Sequence, residues 1–462
     1  MSASRASSGQ TRSYASGARI LSIGIAATGV LTFAYFALAS HVLNAVQAKR
    51  IDLLWTVMFV TISVIYRPIE QLLSRTIAER RARGHAQHSL RVPIAIQAGF
   101  ALGFVIAAVA LHGELVAHVF DHFGGLYGVL VAGTVAYAAS YFARGWLAGH
   151  QYFGLYGGLV LMEAASRFCF VLAVAIGIAQ GQLAVALGIA AAPFVSLVVV
   201  PWAFARHAGE SREGSRLSPQ IEDVDAALAG PGAEGVQEAV AAEELSLLRG
   251  SNFALVVSGI MVAEQVLLNA AVLTVDATSA DRALAGVVFN VLLIARAPLQ
   301  LFQAIQTSLL PHLTGLEATE GHDAFARAVR VTVRAIAAFS LAVALGLLAI
   351  GPPVMRHLFG QPFPYNRFGL ALIGLGMGFH LACGALNQAA LARDQARAAA
   401  VCWLAAALAF TGWMVSPIVG GQVLRAEVGY AGATAILALA LAVLYRRGSA
   451  ARLMRSTRLA AR

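Results

Sequence analysis

Two short stretches, YRPIEQ at residues 66–71 and RAPLQ at residues 296–300, decide how this chain is organised. Each lies inside an apolar run, and their prolines, Pro68 and Pro298, are 230 residues apart. The first apolar run begins near residue 20 and the seventh near residue 250, which is the same offset. Because proline interrupts the backbone hydrogen bonds of a helix, both prolines are predicted hinges. The shared offset predicts a duplicated chain.

The composition is typical of an integral membrane protein. Of the 462 residues, 59% are hydrophobic and only 12% are charged, and the mean hydropathy is +0.73. Soluble domains carry about twice that share of charged residues. We therefore predict an all-α polytopic membrane protein with about 12 transmembrane helices, in two six-helix bundles related by pseudo-twofold symmetry. The predicted spans are 20–43, 52–74, 92–111, 126–147, 157–178, 184–204, 250–273, 284–310, 330–350, 367–391, 398–417 and 427–445.

The distribution of basic residues predicts the orientation. If the N-terminus is inside, 24 of the 33 Lys and Arg residues lie in inner segments and 6 lie in outer segments. Positive residues favour the cytoplasmic side, so both termini are predicted to be cytoplasmic. A single lysine beside abundant alanine, glycine and arginine is typical of a GC-rich bacterial coding sequence, so the predicted location is the plasma membrane of a bacterium. The predicted domains are a cytoplasmic tail (1–19), an N-lobe (20–204), an acidic cytoplasmic linker with a possible surface helix (205–249), a C-lobe (250–445) and a basic cytoplasmic tail (446–462).

The motifs of known catalytic and metal sites are missing from the sequence. The single lysine, Lys49, does not follow a glycine-rich loop, so there is no nucleotide-binding P-loop. The three cysteines lie in apolar runs without metal-ligand spacing. Asp223-Val224-Asp225 has a metal-binding spacing but lies in the acidic linker, and we interpret it as solvated loop. We expect no enzyme activity, no cofactor, no metal and no nucleic-acid partner.

Polar side chains at membrane depth are the candidate functional residues, because such groups are costly in hydrocarbon unless they face a cavity or a partner. Glu163 and Arg167 are four residues apart and are predicted to form a structural ion pair. Arg296 has no acid at helical spacing, so it and Arg67 are candidates for a polar cavity, although each could also hold helices together. The complete set of cavity candidates is Arg67, Glu70, Glu264, Arg296, Gln300 and Gln303.

Several segments of the chain resemble the polysaccharide-transporter branch of the multidrug/oligosaccharidyl-lipid/polysaccharide exporter superfamily. The resemblance covers roughly residues 20–445 and implies two six-helix lobes around an alternating-access cavity that moves a lipid-linked oligosaccharide between leaflets. Drug–cation antiporters of the superfamily tend to carry a carboxylate in the first span, and residues 20–43 contain no acid. The similar segments are RPIEQ (67–71), AERRARG (78–84), RGWLAGHQYFGLYGG (144–158), Glu163, Arg167, RAPL (296–299), LLPHL (309–313) and LFG (358–360).

Three functions follow as hypotheses. The first is a flippase for a polyprenyl-diphosphate-linked oligosaccharide used in a cell wall, capsule or exopolysaccharide, with the lipid-linked glycan and membrane lipids as its partners. The second is a cation-coupled multidrug or metabolite exporter of the same superfamily, since Glu70 or Glu264 could bind a proton or sodium. The third is a transport-inactive scaffold that recruits glycan-assembly proteins through the loop 205–249. Arginine suits the first because its planar fork matches phosphate oxygens.

Overall fold

The computed structural model describes the chain in separate segments, and every described segment of regular structure is helical. The helices are α1 (Ala26–Ala39), α2 (Ala45–Ile65), α3 (Arg67–Ala82), α4 (Arg91–His118), α5 (Gly124–Gly149), α6 (Phe153–Ala175), α7 (Gly181–Ser196), α8 (Leu247–Thr278), α9 (Gly321–Phe359), α10 (Arg367–Ala392), α11 (Ala396–Val415) and α12 (Gln422–Ala460). The described residues are 23–24, 26–32, 34–39, 41–82, 90–118, 120, 122–202, 247–279, 284, 287–288, 290–292, 294, 298–299, 302, 309–316, 321–359 and 365–460.

Ten helices in these segments are long and apolar enough to cross a membrane, and they match ten of the twelve predicted spans. The predicted first span contains α1, and most of the predicted eighth span lies outside the described residues. On α4, Leu102, Ile106 and Val109 are largely exposed, as expected of side chains that face lipid. The chain is therefore a multi-pass membrane protein, in which helices satisfy their own backbone hydrogen bonds.

The predicted second span is interrupted at Tyr66, two residues before Pro68. Pro68 has no N–H to donate to the carbonyl of Val64, so the regular ladder fails at this position. Helical structure resumes after the interruption because the backbone N–H groups of Ile69 and Glu70 both donate to the Tyr66 carbonyl at 3.1 Å. The span is consequently divided into α2 and α3, and bending at Pro68 during transport stays a prediction.

The chain divides into two compact units, one formed by residues 1–77 and 86–254 and the other by residues 78–85 and 255–462. We call them the N-unit and the C-unit. In the N-unit, α5 packs on α2 and α7, and the Tyr35 hydroxyl donates to the Val185 carbonyl at 3.3 Å, which ties α1 to α7. Gly145 and Gly149 of α5 lie directly against α3, where a Cβ on Gly145 would come within 2.9 Å of the Glu70 carbonyl oxygen. Small residues four apart permit this approach between helices in a membrane.

In the C-unit, α10 packs against both α9 and α12 and is the most buried of the ten candidate spans. Its glycines permit the close packing: Gly374 lies against Ala344, Gly376 against Tyr430 and Ala431, and Gly378 against Ser340. The Ser340 hydroxyl donates to a carbonyl of α10 at 3.1 Å. The C-unit is therefore built around α10.

Most of the predicted N-terminal tail and linker lies outside the described residues, whereas the C-terminal helix is described to its end. The predicted tail 1–19, the linker up to residue 246 and the Asp223-Val224-Asp225 motif lie outside the described residues. The last helix, α12, runs from Gln422 to Ala460, well past the end of the predicted span at residue 445. The predicted lobe and linker boundaries stay predictions.

Candidate functional site

A buried polar cluster in the N-unit is built by α3, α5 and α6. Glu163 of α6 is only 2% exposed and forms an ion pair with Arg144 of α5. The Ser140 hydroxyl, one turn earlier on α5, donates to the second carboxylate oxygen of Glu163. Both oxygens of this carboxylate are therefore satisfied by α5, as a buried charge requires.

The predicted ion pair between Glu163 and Arg167 is wrong, because within the described residues Glu163 is paired with Arg144. Arg167 instead donates from Nη1 to the Tyr137 hydroxyl at 3.0 Å, and its guanidinium lies 4.8 Å from the ring centroid of Trp55. The spacing of Glu163 and Arg167 on α6 is compatible with an ion pair, but α5 supplies two donors to Glu163. Arg167 instead lies among aromatic rings, which stabilise a cation through the ring quadrupole.

Glu70, a predicted cavity residue on α3, is buried and accepts a hydrogen bond from the Tyr156 hydroxyl at 2.7 Å. Arg144 and Arg67 both act on its carboxylate electrostatically. Arg67 is half-buried and, among the described residues, forms neither a hydrogen bond nor an ion pair through its guanidinium. Glu70 is thus held by a tyrosine, and Arg67 keeps its donors available.

The cluster contains more cationic than anionic groups. It contains three arginines, Arg67, Arg144 and Arg167, and two carboxylates, Glu70 and Glu163. The Nε–H groups of Arg144 and Arg167 are buried and have no acceptor among the described residues. Buried donors without partners are destabilising, and an anionic oxygen is the acceptor that satisfies them best. The N-unit cluster can therefore accommodate an anionic group.

The C-unit holds a second buried cluster on α8, α10, α11 and α12. Glu264 of α8 lies with Oε1 3.8 Å from Nε2 of His380 on α10. Nδ1 of His380 lies 3.1 Å from the Tyr430 hydroxyl, and the imidazole ring lies edge-on to Trp403. Glu264 is one of the predicted cavity residues, and the structure brings it together with His380, which is not in that predicted set.

The remaining predicted residues of the C-unit are only partly described. Arg296, Gln300 and Gln303 lie outside the described residues, whereas Pro298 is described and half-buried. Asn387 and Gln388 of α10 are buried, and their side-chain oxygens have no donor within the described segments. In the described part of the chain, no three His, Cys, Asp or Glu residues are grouped to hold a metal ion.

Sequence reasoning missed the contribution of α5. Arg144 lies inside the predicted span 126–147 but is not among the predicted cavity residues; the structure shows it buried on α5. Tyr137, Tyr141 and Arg144 stand at i, i+4 and i+7, and the Arg144 guanidinium lies 4.4 Å from the Tyr141 ring centroid. This helical spacing of two tyrosines and an arginine in an apolar run is the signal that could have identified the cluster.

The arrangement of the helices matches solved membrane transporters. The Vibrio cholerae MATE transporter VcmN in its bent form superposes with a TM-score of 0.71 over 96% of this chain and 98% of that one, at 13% sequence identity. This chain has the fold of a MATE transporter. The all-α fold with about twelve helices in two bundles is confirmed by this match.

Two further structures share the MATE fold. One is a MOP superfamily transporter from Pyrococcus furiosus, for which the reverse polarity of the binding pocket suggests a different function; it matches with a TM-score of 0.72, 13% identity, and 95% and 96% coverage of the two chains. The other is an outward-facing multidrug resistance MATE transporter of the MOP superfamily, with a TM-score of 0.71, 12% identity, and 94% and 96% coverage. No protein-family model and no curated protein sequence matches this chain.

Proposed function

We propose that the protein is an alternating-access transporter that flips a polyprenyl-diphosphate-linked oligosaccharide from the inner to the outer leaflet of a bacterial plasma membrane. The observation that carries this proposal is the excess of arginine over carboxylate in the buried N-unit cluster. A diphosphate is a dense anion, and arginine binds phosphate oxygens through two parallel hydrogen bonds. The lipid tail can remain in the bilayer while the head group crosses.

Arg67 is the residue we expect to contact the head group. It is half-buried, and its guanidinium has no hydrogen-bond acceptor among the described residues. An unpaired arginine at membrane depth is costly, so water or an anionic ligand has to compensate it. Arg296 lies two residues before Pro298, close to the place that Arg67 takes one residue before Pro68, and we propose the same role for it.

The fold supports transport of this kind. The matched structures are transporters with two helical bundles, and the Pyrococcus furiosus protein is one in which the polarity of the pocket is reversed. A pocket of altered polarity on one fold is what a change from cationic to anionic cargo requires, because complementary charge selects the ligand. This comparison supports the proposal by analogy of fold.

The test is flipping of a fluorescent polyprenyl-diphosphate sugar by the purified protein in liposomes. Arg67→Ala and Arg296→Ala should each lower the flipping rate at least tenfold, and lysine at either position should restore it only in part because a point charge lacks the fork. Arg81→Ala, an exposed arginine at the end of α3, is the matched control and should flip normally. An Arg296→Ala protein with normal thermal stability and a normal flipping rate would refute the proposal.

A second candidate function is cation-coupled export of an organic cation, and the observation that favours it is the Glu264–His380 pair. Two titratable side chains 3.8 Å apart inside a bundle can exchange a proton or bind a cation. Ethidium efflux from vesicles under a sodium or proton gradient, with Glu264→Gln as the test variant, separates the candidates. Gradient-driven efflux that Glu264→Gln abolishes, without any glycolipid flipping, would favour the exporter.

We also propose that both termini and the 205–249 loop are cytoplasmic, and that this loop contacts glycan-assembly proteins. The support is the distribution of basic residues, 24 inside against 6 outside. Reporter fusions at residues 215 and 455 should both report the cytoplasm. An external signal at either position would overturn this topology.

A further inference from the structure

The first turns of α9 carry three exposed arginines, which we call the arginine row. Arg327, Arg330 and Arg334 stand at i, i+3 and i+7, a spacing that places them on one face of the helix. Phe325 and Ile336, on the opposite face, are buried in the C-unit. The arginine row therefore faces away from the C-unit.

The same face of α9 meets lipid farther along the helix. Leu341 and Leu345 are 55% and 57% exposed, and they follow Arg334 by two and three turns on its side of the helix. Exposed leucines of a membrane span contact acyl chains. Because Arg334 lies only about 10 Å from Leu341 along the helix axis, the arginine row lies where acyl chains give way to head groups.

Within the described residues, the arginine row has no protein partner. Its three guanidinium groups form no hydrogen bond there, and Asp323, the acid one turn before Arg327, forms no ion pair with it. An arginine at the edge of the apolar region extends its charged end toward the head groups, and its planar fork matches phosphate oxygens. A phosphate supplied by the bilayer is therefore the acceptor that suits these side chains.

The end of α12 adds two cations at the same end of the C-unit. The rings of Phe325 on α9 and Tyr445 on α12 are parallel to within 13°, with their centroids 6.4 Å apart. The buried guanidinium of Arg393 lies 4.0 Å from the first centroid and 5.0 Å from the second. Arg446 and Arg447, directly after Tyr445, are exposed. They add positive charge next to the turn of α9 from which the arginine row begins.

The described helix α4 of the N-unit provides a contrast. It also exposes leucine and isoleucine to lipid, at Leu102 and Ile106, but its first three turns carry a single arginine, Arg91. An excess of basic residues on one side of a membrane sets orientation without requiring them to share one face of one helix. The shared face of the arginine row is the arrangement that a bound head group requires.

We propose that the exposed face of α9 is a binding site for an anionic phospholipid of the bilayer. The head-group phosphate contacts Arg327, Arg330 and Arg334, and an acyl chain lies along Leu341 and Leu345. Clusters of about four to eight basic residues beside a membrane helix are typical of binding to anionic lipids. The lipid is a partner of the transporter, and the proposal does not depend on which cargo the protein moves.

The test is native mass spectrometry of the purified full-length protein with added phosphatidylglycerol, which is anionic, or phosphatidylethanolamine, which has no net charge. The wild type should bind phosphatidylglycerol at least tenfold more tightly. The triple variant Arg327→Gln, Arg330→Gln and Arg334→Gln should lose this preference, and each single variant should lower the affinity about fivefold. Because these side chains are exposed, the thermal-unfolding midpoint should stay at the wild-type value.

A matched control removes the same charge from other places. Arg91→Gln, Arg356→Gln and Arg367→Gln together replace three exposed arginines on three different helices, and this protein should keep the wild-type preference. Equal weakening by the two triple variants would assign the preference to net charge and overturn the proposal, as would a wild type without any preference. Displacement of phosphatidylglycerol by an excess of inorganic phosphate would identify a soluble anion as the occupant and would also overturn it.

Discussion

The buried polar clusters of the two units satisfy their charges in different ways. In the N-unit, the Glu163 carboxylate is paired with Arg144, and Arg167 lies against a tyrosine and a tryptophan. In the C-unit, Glu264 meets a histidine, whose other ring nitrogen contacts a tyrosine hydroxyl. The N-unit thus depends on opposite full charges and the C-unit on groups that can be neutral.

This difference predicts unequal sensitivity to substitution. A buried ion pair that loses one partner leaves a full charge in a medium of low dielectric constant. A hydrogen bond between neutral groups in a membrane protein is worth much less, about 0.6 kcal/mol on average. Substitutions in the N-unit cluster should therefore lower the free energy of unfolding more than corresponding substitutions in the C-unit.

The largest effect is expected for Glu163→Ala. It leaves Arg144 buried without a counter-charge, and the free energy of unfolding should fall by about 3–5 kcal/mol. The measurement is reversible unfolding in detergent or lipid. The double variant Arg144→Met with Glu163→Met should recover most of the loss, and Glu114→Ala, an exposed acid on α4, should have little effect. A Glu163→Ala protein as stable as the Glu114→Ala control would contradict the ion-pair account.

The next effect concerns the packing that brings α5 to Glu70. Gly145→Ala places a Cβ within 2.9 Å of the Glu70 carbonyl oxygen, and overpacking of this kind costs about 1–3 kcal/mol. Gly128→Ala on the same helix has open space and should be neutral or slightly stabilising. The measurement is the thermal-unfolding midpoint of each variant. Equal midpoints for Gly145→Ala and Gly128→Ala would show that α3 and α5 can move apart at little cost.

A smaller loss is expected for Tyr156→Phe, which removes the hydroxyl that donates to Glu70 at 2.7 Å. Hydrogen bonds to charged groups are worth about 1.5–3 kcal/mol, and we expect the lower end because the ring remains in place. Unfolding free energies measured beside those of the wild type test this. If Tyr156→Phe is as stable as the wild type, then Glu70 is not held as a carboxylate anion.

The smallest effect is expected for Tyr430→Phe in the C-unit. It removes the hydroxyl that lies 3.1 Å from Nδ1 of His380, and the loss should be about 0.6 kcal/mol. Measured in the same series, it should rank below Tyr156→Phe. The opposite ranking would contradict the contrast between the two units.

The fold could be predicted from sequence because the membrane leaves few alternatives. A span has to be a long apolar helix, and an even number of spans on either side of a linker indicates two bundles. Pro68 correctly marked an interruption, since its missing N–H is a property of the residue itself. The extension of α12 to Ala460 was not predicted, because hydropathy reports the apolar part of a helix and not where the helix ends.

The candidate site was predictable only in part, since partner choice depends on how helices pack. Glu163 and Arg167 have the right spacing on one helix, yet Arg144 of a neighbouring helix supplies the ion pair. Arg144 is buried on α5, and the next residue, Gly145, lies against α3 in a contact that no local sequence pattern predicts.

Arg425, in the first turn of α12, joins this helix to the end of α11. Its guanidinium binds carbonyl groups at the end of α11 and in the segment that follows, and its own carbonyl accepts from Nε1 of Trp413 at 2.9 Å. The C-terminal carbonyls of a helix otherwise need water or a cap. Together these bonds clamp residues 416–421 between α11 and α12, so the two helices form a stiff hairpin. We therefore expect α11 and α12 to move together as one rigid body in any rearrangement of the C-unit, with bending at other positions in the bundle.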